Sequence, residues 1–372
     1  MFGKGNSTAK ILALVDIASA DAAVGITAVG QSMKLLVSER ASLSLEERSK
    51  DALLSGVLQK LSEAGEKATA AFQKTTFGGR SVDIVYIIAG APWSHSVSAR
   101  AKSIFDEETV VTGKMIGALA QKMLSEQQEM DRAELLEATV VRVYLNGYPT
   151  ANPEGKRARF VEVVGLLSEC DTEMRKGAQE QVHRIFPGAA IHWRSSARAA
   201  THVAESYADH SGYVIANVSN ETTDLIVVRK GVLSEREVVD TGVRSIAQQF
   251  APGTPPEEVL SLMELLESDQ CESDACEKLK QAIAKAEPDL ARHFGEAMGK
   301  LAASRRLPHT LLLSAPPHLA PWLSSFFARI DFTQFTATAL PFTVERLDSP
   351  LPIEDEGLSL GFALVNRELQ EK

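Results

Sequence analysis

The sequence predicts an α/β protein built from two halves with the same order of elements, with a small α+β unit inserted into the first half. Apolar and β-branched runs separated by turn residues predict a three-strand meander over 10–37 and a second one over 213–240. Each meander is followed by helical segments and by a short, almost continuously apolar strand, a pattern typical of strands covered on both faces. The repeated order indicates a duplicated architecture.

The first half begins with three apolar runs between 10 and 37 that predict the meander. Apolar side chains then recur at helical spacing over 44–73, where Ser44 and Glu47 are arranged as a capping box. We therefore predict a long amphipathic helix. "SVDIVYIIAGAPW" at 81–93 predicts a buried strand, because its apolar run is nearly continuous.

The segment that follows breaks this pattern. A strand-like stretch, a helix near 112–125 and the strands "ATVVRVYLNGY" and "ARFVEVVGLL" predict a small α+β subdomain over 94–180. The predicted division of the chain is then a first lobe in two parts, 1–93 and 181–211, an inserted subdomain, 94–180, and a second lobe, 212–372, with a helical insertion at about 243–306.

The second half repeats the order of the first. "YVIANV", "TDLIVVRK" and "VLSEREVVD" predict the meander, a helical stretch runs from 242 to 306, and "HTLLLS" predicts the buried strand. Two more helices are predicted at 318–329 and 357–370. The last of them has only Arg367 and Lys372 as basic residues and no Trp, so we expect it to pack on the protein core rather than on a membrane.

Composition excludes several classes of function. The net charge is −10 and the pI about 5.4, and no block of Lys and Arg stands out, so we expect no nucleic-acid partner. The N-terminal apolar run is interrupted by Asp16 after five residues, and no stretch approaches the roughly 20 apolar residues of a membrane helix. We therefore predict a cytoplasmic protein without direct membrane insertion.

The three cysteines do not predict a metal site. Cys170, Cys271 and Cys276 have no second Cys or His pair at zinc-binding spacing. We interpret them as reduced, solvent-exposed thiols.

Three segments carry residues suited to phosphate binding. "VDIASA" contains Asp16 and Ser19, "NVSNETTD" contains Thr222 and Thr223, and "LLSAPPHLAPWL" begins at the end of an apolar strand. In these segments and in the order of elements, nearly the whole chain resembles the actin-like (ribonuclease H-like) ATPase superfold. Within that superfold it resembles the bacterial PilM and FtsA families, which carry an extra small SHS2-like subdomain in the first half.

The resemblance implies a nucleotide site at these three segments. The corresponding residues are Asp16, Ala18 and Ser19 in the first segment, Asn217, Ser219, Asn220, Thr222 and Thr223 in the second, and Ser314 and Ala315 in the third. The resemblance also implies ATP with Mg²⁺ as cofactor, and it makes Asp16 the candidate residue for Mg²⁺.

Several substitutions weaken this site. Glycine is expected where backbone N–H groups approach phosphate closely, often at positive φ, but Ala18, Ser219–Glu221 and Ala315–Pro316 stand at those positions. The Glu221 carboxylate would repel a triphosphate, and Asn217 replaces an expected Asp. We predict a degenerate ATPase site in which ATP and Mg²⁺ binding is weak or lost.

A plain hairpin explains the second segment better when that segment is considered alone. Thr222 and Thr223 are good strand residues and Asn220 is a good turn residue. The former phosphate loop is favoured because the segment occurs together with "VDIAS", with the Leu-rich strand before "SAPP" and with the duplicated order of elements.

If catalysis is lost, function must depend on protein surfaces. The PilM resemblance implies a cytoplasmic scaffold of a type IV pilus or related envelope assembly, held at the inner face of the membrane through the cytoplasmic tail of a PilN-like inner-membrane partner. That tail would bind in a groove beside the inserted subdomain, where Tyr144, Asn146 and Tyr148 are candidates, although ordinary turn chemistry also accounts for them. A homo-oligomer is compatible with this hypothesis. The alternatives are an FtsA-like filament-forming protein and an active actin-like ATPase or sugar kinase.

Overall fold

The computed structural model describes residues 9–30, 32–43, 49–127, 130–207, 212–268, 274–349, 351, 353 and 355–370. The predicted capping box at Ser44 and Glu47 lies outside these residues, and so does Cys271.

The elements follow the predicted order. Those of the first half are β1 (Lys10–Ile17), β2 (Asp21–Val29), β3 (Met33–Ser42), α1 (Lys50–Gln73), β4 (Ile84–Ala89), β5 (Ser94–Val110), α2 (Gly113–Glu126), β6 (Leu135–Leu145), β7 (Tyr148–Pro149), β8 (Arg157–Cys170), α3 (Thr172–Ile185), β9 (Ala190–Ser195) and α4 (Ser196–Ala204). Those of the second half are β10 (Tyr213–Val218), β11 (Thr223–Arg229), β12 (Val232–Val239), α5 (Val243–Phe250), α6 (Pro256–Glu267), α7 (Asp274–Ala302), β13 (Thr310–Ser314), α8 (Ala320–Arg329), β14 (Thr343–Arg346) and α9 (Glu356–Gln370).

Two five-stranded sheets have the same topology. The first has the order β3-β2-β1-β4-β9 and the second the order β12-β11-β10-β13-β14. In each sheet the three meander strands are antiparallel, and the next two strands run parallel to the first strand of the meander. The strands at Lys10–Val29 and Tyr213–Val228 therefore occupy equivalent positions, and the predicted duplication is confirmed.

Both faces of each sheet are covered, which explains why the central strands are continuously apolar. In β1 the side chains of Ile11 and Val15 pack with α1 and α3, whereas the alternate Leu12 and Leu14 pack with α9. In the second sheet one face packs with α5, α7 and α8 and the other with α4 and α9. Helix α9 thus contacts both sheets, and Gly361 lets it approach closely, since an added Cβ there would lie 2.7 Å from the Leu14 side chain. The prediction of a core-packed last helix is confirmed.

The inserted unit is a four-stranded sheet with the order β5-β8-β6-β7 and with α2 packed on one face. Helix α3 contacts this unit through hydrogen bonds to Glu134 and the Leu135 carbonyl, but its buried face packs elsewhere. Met174, Ala178 and Val182 of α3 are buried in the core of the first sheet. The division into lobes and subdomain stays a proposal, and this packing moves its second boundary from 180 to about 171.

The prediction for the cysteines was wrong. Cys170 and Cys276 are buried, and Cys276 is in a disulfide. Burial raises the pKa of the Cys170 thiol to about 12. Cys170 fails the prediction because it ends β8 inside the first core, where α3 covers it.

No helix in the described ranges is both long and apolar enough to cross a membrane.

Candidate functional site at the cleft between the lobes

Two equivalent hairpin turns meet between the sheets. The β1–β2 turn has Ser19 and Ala20 at its tip, closed by a hydrogen bond from the Ala18 N–H to the Asp21 carbonyl at 3.1 Å. The β10–β11 turn has Asn220 and Glu221 at its tip, closed by the Ser219 N–H and the Thr222 carbonyl at 2.9 Å. The duplication therefore brings the first and second predicted segments face to face.

The two turns bond directly to each other. The hydroxyl oxygens of Ser19 and Ser219 lie 2.9 Å apart. The backbone N–H of Glu221 donates to the Ser19 hydroxyl at 2.9 Å, and the Asn220 amide donates to the Asp21 carboxylate at 2.6 Å. The two tips are thus joined by hydrogen bonds that use both serine hydroxyls, the Asn220 amide and the Glu221 N–H.

The turns have no need of glycine for their own shape. None of Ser19, Ala20, Asn220 and Glu221 has a positive φ. The substitutions expected to strain a phosphate loop therefore cost no backbone strain here, because the loops have the ordinary geometry that side chains allow.

Gly242 allows the N-terminus of α5 to approach and bind the second turn. An added Cβ there would lie 2.4 Å from the Ser219 carbonyl oxygen and 2.6 Å from that of Asn220. The first N–H groups of α5, from Val243 and Arg244, donate to these two carbonyls at 3.0 Å each. A helix N-terminus is normally available to an anion, but here these two donors bind the turn.

Arg40 on β3 places a cation among three carboxylates at the cleft. Its guanidinium donates to Asp16 at 2.8 Å and to Asp355 at 2.6 and 2.7 Å, and it also contacts Asp21. The Asp16 and Asp21 side chains are only 9% and 5% exposed, whereas that of Arg40 is 31% exposed. One guanidinium therefore compensates three carboxylates at the mouth of a buried polar cluster.

The same cluster anchors the start of α9. Asp355 accepts a hydrogen bond from the Leu358 N–H at 3.0 Å, as a helix N-cap does. Gly357 allows this close approach, since an added Cβ would lie 2.1 Å from an Asp16 carboxylate oxygen. Helix α9, which contacts both sheets, is thus tied to the first turn.

Burial and the positive charge of Arg40 have opposite effects on the pKa values of Asp16 and Asp355. Burial raises the pKa of Asp16 above its ordinary value, and the neighbouring Arg40 only partly offsets that rise. Burial would also raise the pKa of Asp355, but the hydrogen bonds and charge of Arg40 outweigh it and hold that pKa below its ordinary value. The same carboxylates raise the pKa of Arg40, which stays a cation.

Asp224, the acid that ends the second segment, is also paired. Its two carboxylate oxygens accept hydrogen bonds from Arg236 at 2.7 and 2.8 Å, and both side chains are only 3% exposed. Arg236 also donates to the Ser94 carbonyl at 3.2 Å. This pair joins the second lobe to the first residue of β5.

A cavity of about 540 Å³ lies beside the two turns. Seven of the ten predicted residues line it: Asp16, Ala18, Asn217, Ser219, Asn220, Thr222 and Ser314. Ser19 is buried in the contact with Ser219. Thr223 and Ala315 point elsewhere, because the Thr223 hydroxyl donates to the Thr241 carbonyl at 2.6 Å and Ala315 is packed in the second core. That these residues bind nucleotide stays a prediction.

Sequence reasoning missed Arg40, Asp355, Gly242 and Arg236. Arg40 and Arg236 stand in strands whose other charged residues are on the surface, so only the tertiary pairing distinguishes them. In the described ranges, no group of three or more His, Cys, Asp or Glu side chains is placed to hold a metal ion.

A second cavity, of about 420 Å³, lies where β6 of the inserted unit meets β9, α4 and α9. We call it the junction cavity; it is lined by Leu136, Glu137, Ala138, Thr139, Arg194, Arg198 and Glu368. Glu137 is almost fully buried and accepts hydrogen bonds from the Ser195 N–H at 2.8 Å and from Arg198 at 2.8 Å. Glu368 accepts from Arg194 at 2.7 and 2.8 Å. Paired charges thus hold the inserted unit, the first lobe and α9 together.

The candidate groove residues on β6 and its turn have different roles. Tyr144 is buried against Val164 and Val232. Asn146 has a φ of 50°, and its side-chain oxygen accepts from two backbone N–H groups at 3.0 Å each, which is turn chemistry. Tyr148 is 75% exposed.

Comparison with known proteins identifies the fold. No protein-family model matches the chain, and no curated protein matches it. A solved structure described as the PilM-PilN type IV pilus biogenesis complex matches 96% of this chain and 98% of its own, with a TM-score of 0.58 and 11% identity. The ethanolamine utilization protein EutJ from Carboxydothermus hydrogenoformans matches with a TM-score of 0.45 and 13% identity over 95% of this chain and 89% of its own. Glucokinase from Balamuthia mandrillaris in complex with glucose matches with a TM-score of 0.42 and 9% identity over 97% and 95%.

Proposed function

We propose that this chain, which has an actin-like ATPase fold and resembles PilM over nearly its whole length, is a non-catalytic scaffold. It would act as a PilM-like cytoplasmic component of a type IV pilus or related envelope assembly and bind the cytoplasmic tail of an inner-membrane partner. It would be held at the inner face of the membrane through that partner. The observation that carries the proposal is that the groups expected to bind MgATP are bonded to one another across the cleft.

Three contacts support the loss of catalysis. Arg40 holds the carboxylate of Asp16, the residue that would support Mg²⁺, at 2.8 Å. Ser19 and Ser219 bond to each other at the turn tips. The first N–H groups of α5 donate to the second turn. A triphosphate with its metal would have to displace all three, and the nearby carboxylates would add like-charge repulsion. The residues present therefore do not fit MgATP in this arrangement.

The cavity beside the turns supports a weaker second candidate. About 540 Å³ with serine and asparagine side chains on its wall is enough for a nucleoside-sized ligand. Retained weak nucleotide binding, as a structural wedge between the lobes, is compatible with the scaffold. A filament-forming FtsA-like protein would instead sediment as polymer in an ATP-dependent way.

The junction cavity is the binding site that we propose for the partner's tail. It lies beside the inserted unit, where we expect a PilM-like protein to bind the tail. Val140 and Val141, which follow its rim on β6, are 38% and 37% exposed and add apolar surface. A peptide can use such a combination of apolar contact and fixed charges.

The test is a pull-down with a synthetic peptide of the cytoplasmic tail of the inner-membrane protein encoded beside this chain. Ala138→Trp fills the junction cavity from an exposed position and should abolish binding without loss of folding. Ala303→Trp, at an exposed position on the second lobe, is the matched control and should bind as the unmodified protein does. Equal binding by both variants would place the interface elsewhere.

A further inference from the structure

The cavity of about 540 Å³ beside the two turns, which we call the cleft cavity, lies at the ends of two pairs of parallel strands. Asp16 and Ile88 are opposite each other near the ends of β1 and β4, and Asn217 and Ser314 are opposite each other near the ends of β10 and β13. All four residues line the cavity. Ligands of α/β sheets commonly bind at this edge, outside the carboxyl ends of parallel strands. The cleft cavity therefore has the position of a binding site even without a phosphate loop.

Polar atoms of the cavity wall lack protein partners. Ser314 is only 4% exposed, and its hydroxyl makes no hydrogen bond within the described ranges; the same holds for the amide of the half-buried Asn217. Asp16 is 6% exposed, and one of its carboxylate oxygens accepts from Arg40 at 2.8 Å whereas the other has no partner among the described residues. Nearly buried polar groups almost always have a partner. These atoms therefore indicate that a bound molecule completes the site.

The charges at the cleft cavity favour a cationic ligand. Asp16, Asp21 and Asp355 all line it, and the guanidinium of Arg40 is already bonded to all three. Asp224, a fourth acid of the wall, has an arginine of its own. Three carboxylates thus share one guanidinium at this end of the cavity. A ligand cation is attracted there, whereas an anionic ligand is repelled.

Much of the remaining wall is apolar. Ile88, Val218 and Leu360 line the cavity and are buried, and Pro316 and Pro317 extend this surface. Pockets that combine an apolar wall with a few fixed polar groups bind small organic molecules, and their volumes are usually about 300–1,000 Å³. The cleft cavity fits this description, so its ligand has an apolar body besides a charged group.

We propose that the cleft cavity binds a small organic cation, an amine whose ammonium group donates to the free Asp16 oxygen and whose apolar body lies against Ile88 and Leu360. Asn217 and Ser314, on the second sheet, bind a second polar group of this ligand. The proposal rests on the proposed loss of MgATP binding, since both ligands would use this cleft. A tight MgATP complex would contradict that loss, whereas weak MgATP binding together with no amine binding would contradict the amine proposal alone.

Three indole compounds of similar size test the class of ligand. Tryptamine carries an ammonium group at the end of its side chain, tryptophol a neutral hydroxyl and indole-3-acetate a carboxylate. In titration calorimetry with the full chain, tryptamine should bind with a dissociation constant below about 1 mM and at least about tenfold more tightly than tryptophol, and indole-3-acetate should bind more weakly than both. No tryptamine binding at this concentration, or tryptophol binding as tightly as tryptamine, would overturn the proposal.

A charge-removing variant tests the role of Asp16. Asp16→Asn should abolish the preference for tryptamine over tryptophol, because the amide attracts an ammonium group less than a carboxylate does. Asp289→Asn is the matched control, since the Asp289 side chain is 70% exposed at the surface, and it should keep the full preference. An unchanged preference in the folded Asp16 variant would contradict the proposed contact.

Filling the cavity from its mouth tests the location of the site. Ser42 is exposed at the end of β3 and lines the cleft cavity, so Ser42→Trp should weaken tryptamine binding at least about tenfold. Ser38→Trp, exposed on the same strand but outside the lining, should bind tryptamine as the unmodified protein does. Thermal unfolding of both variants serves as the folding control. Equal tryptamine binding by the two tryptophan variants would overturn the proposal.

Discussion

Arg40 is the residue on which the geometry of the cleft depends most. It is the shared partner of Asp16, Asp21 and Asp355. Arg40→Met should destabilise the protein by about 2 kcal/mol, because removing one partner of a buried pair leaves uncompensated charge. The figure is below the usual range for fully buried pairs because the Arg40 side chain is 31% exposed. Urea denaturation measures it.

Arg329→Met is the matched control for this prediction. Arg329 pairs with Glu287 at the surface and is 52% exposed, so its loss should cost less than about 1 kcal/mol. Equal stability losses in both variants would contradict the role given to Arg40.

The same substitution reverses the pH dependence that Asp355 contributes, whereas burial already raises the pKa of Asp16 in the unmodified protein. In the unmodified protein the pKa of Asp355 is held below its ordinary value of 3.8, so its stabilising contribution is present above that pH and is lost as the pH falls through the lower, folded-state pKa. Without Arg40 the clustered carboxylates have raised pKa values, so the variant should gain stability as the pH falls from about 7 to 5. Thermal melts across that range measure the difference.

The sequence predicted one side of this cluster and not the other. Asp16 was found because it follows an apolar strand in a recognisable segment. Arg40 was missed because β3 carries several exposed charged and polar residues, as a surface strand does, and its partner Asp355 is 315 residues away. Pairings at that distance depend on how α9 packs, which local patterns do not encode.

At the level of elements, the inserted unit leaves and rejoins the first lobe at adjacent points. The Asp171 N–H donates to the Trp93 carbonyl at 2.9 Å. Deleting 95–170 and closing the gap with two glycines should therefore leave a cooperatively folding remainder, measured by circular dichroism during thermal unfolding. Deleting 94–180 should destabilise it further, because that cut removes Met174 and Ala178 of α3 from the first core. A remainder that is unfolded after both deletions would contradict the idea that the unit is separable.

Element boundaries were predictable where the periodicity was strong. The helix predicted at 112–125 is α2, Gly113–Glu126, and the one at 357–370 is α9, Glu356–Gln370. The boundary of the inserted unit stays a proposal, because α3 has the same amphipathic pattern whether it packs on one sheet or the other. The sequence alone did not decide between them.

In the molecule as a whole, the duplication sets the two turns against each other, and we propose that protein contacts close the site between them. Local patterns predicted the two halves because the hydrophobic periodicity of the sequence indicates where the strands lie and in which order. They did not predict that Ser19 and Ser219, 200 residues apart, bond to each other. That contact depends on the angle between lobes, which many weak interactions set together.

A glycine variant provides the control for this claim. Ser219→Gly with Glu221→Gly removes the hydroxyl contact between Ser19 and Ser219 and one carboxylate, although the N–H of residue 221 can still donate to Ser19. It should strengthen ATP binding if the turn is a former phosphate loop. Lys230→Gly, in the β11–β12 turn of the same sheet, should leave ATP binding unchanged.

Titration calorimetry with MgATP on the purified protein, combined with a phosphate-release assay, tests whether the site is closed to MgATP. We expect a dissociation constant weaker than about 100 μM, equivalent to less than about 5.5 kcal/mol of binding, and no hydrolysis above background. A dissociation constant of about 5 μM or below, with measurable phosphate release, would contradict it.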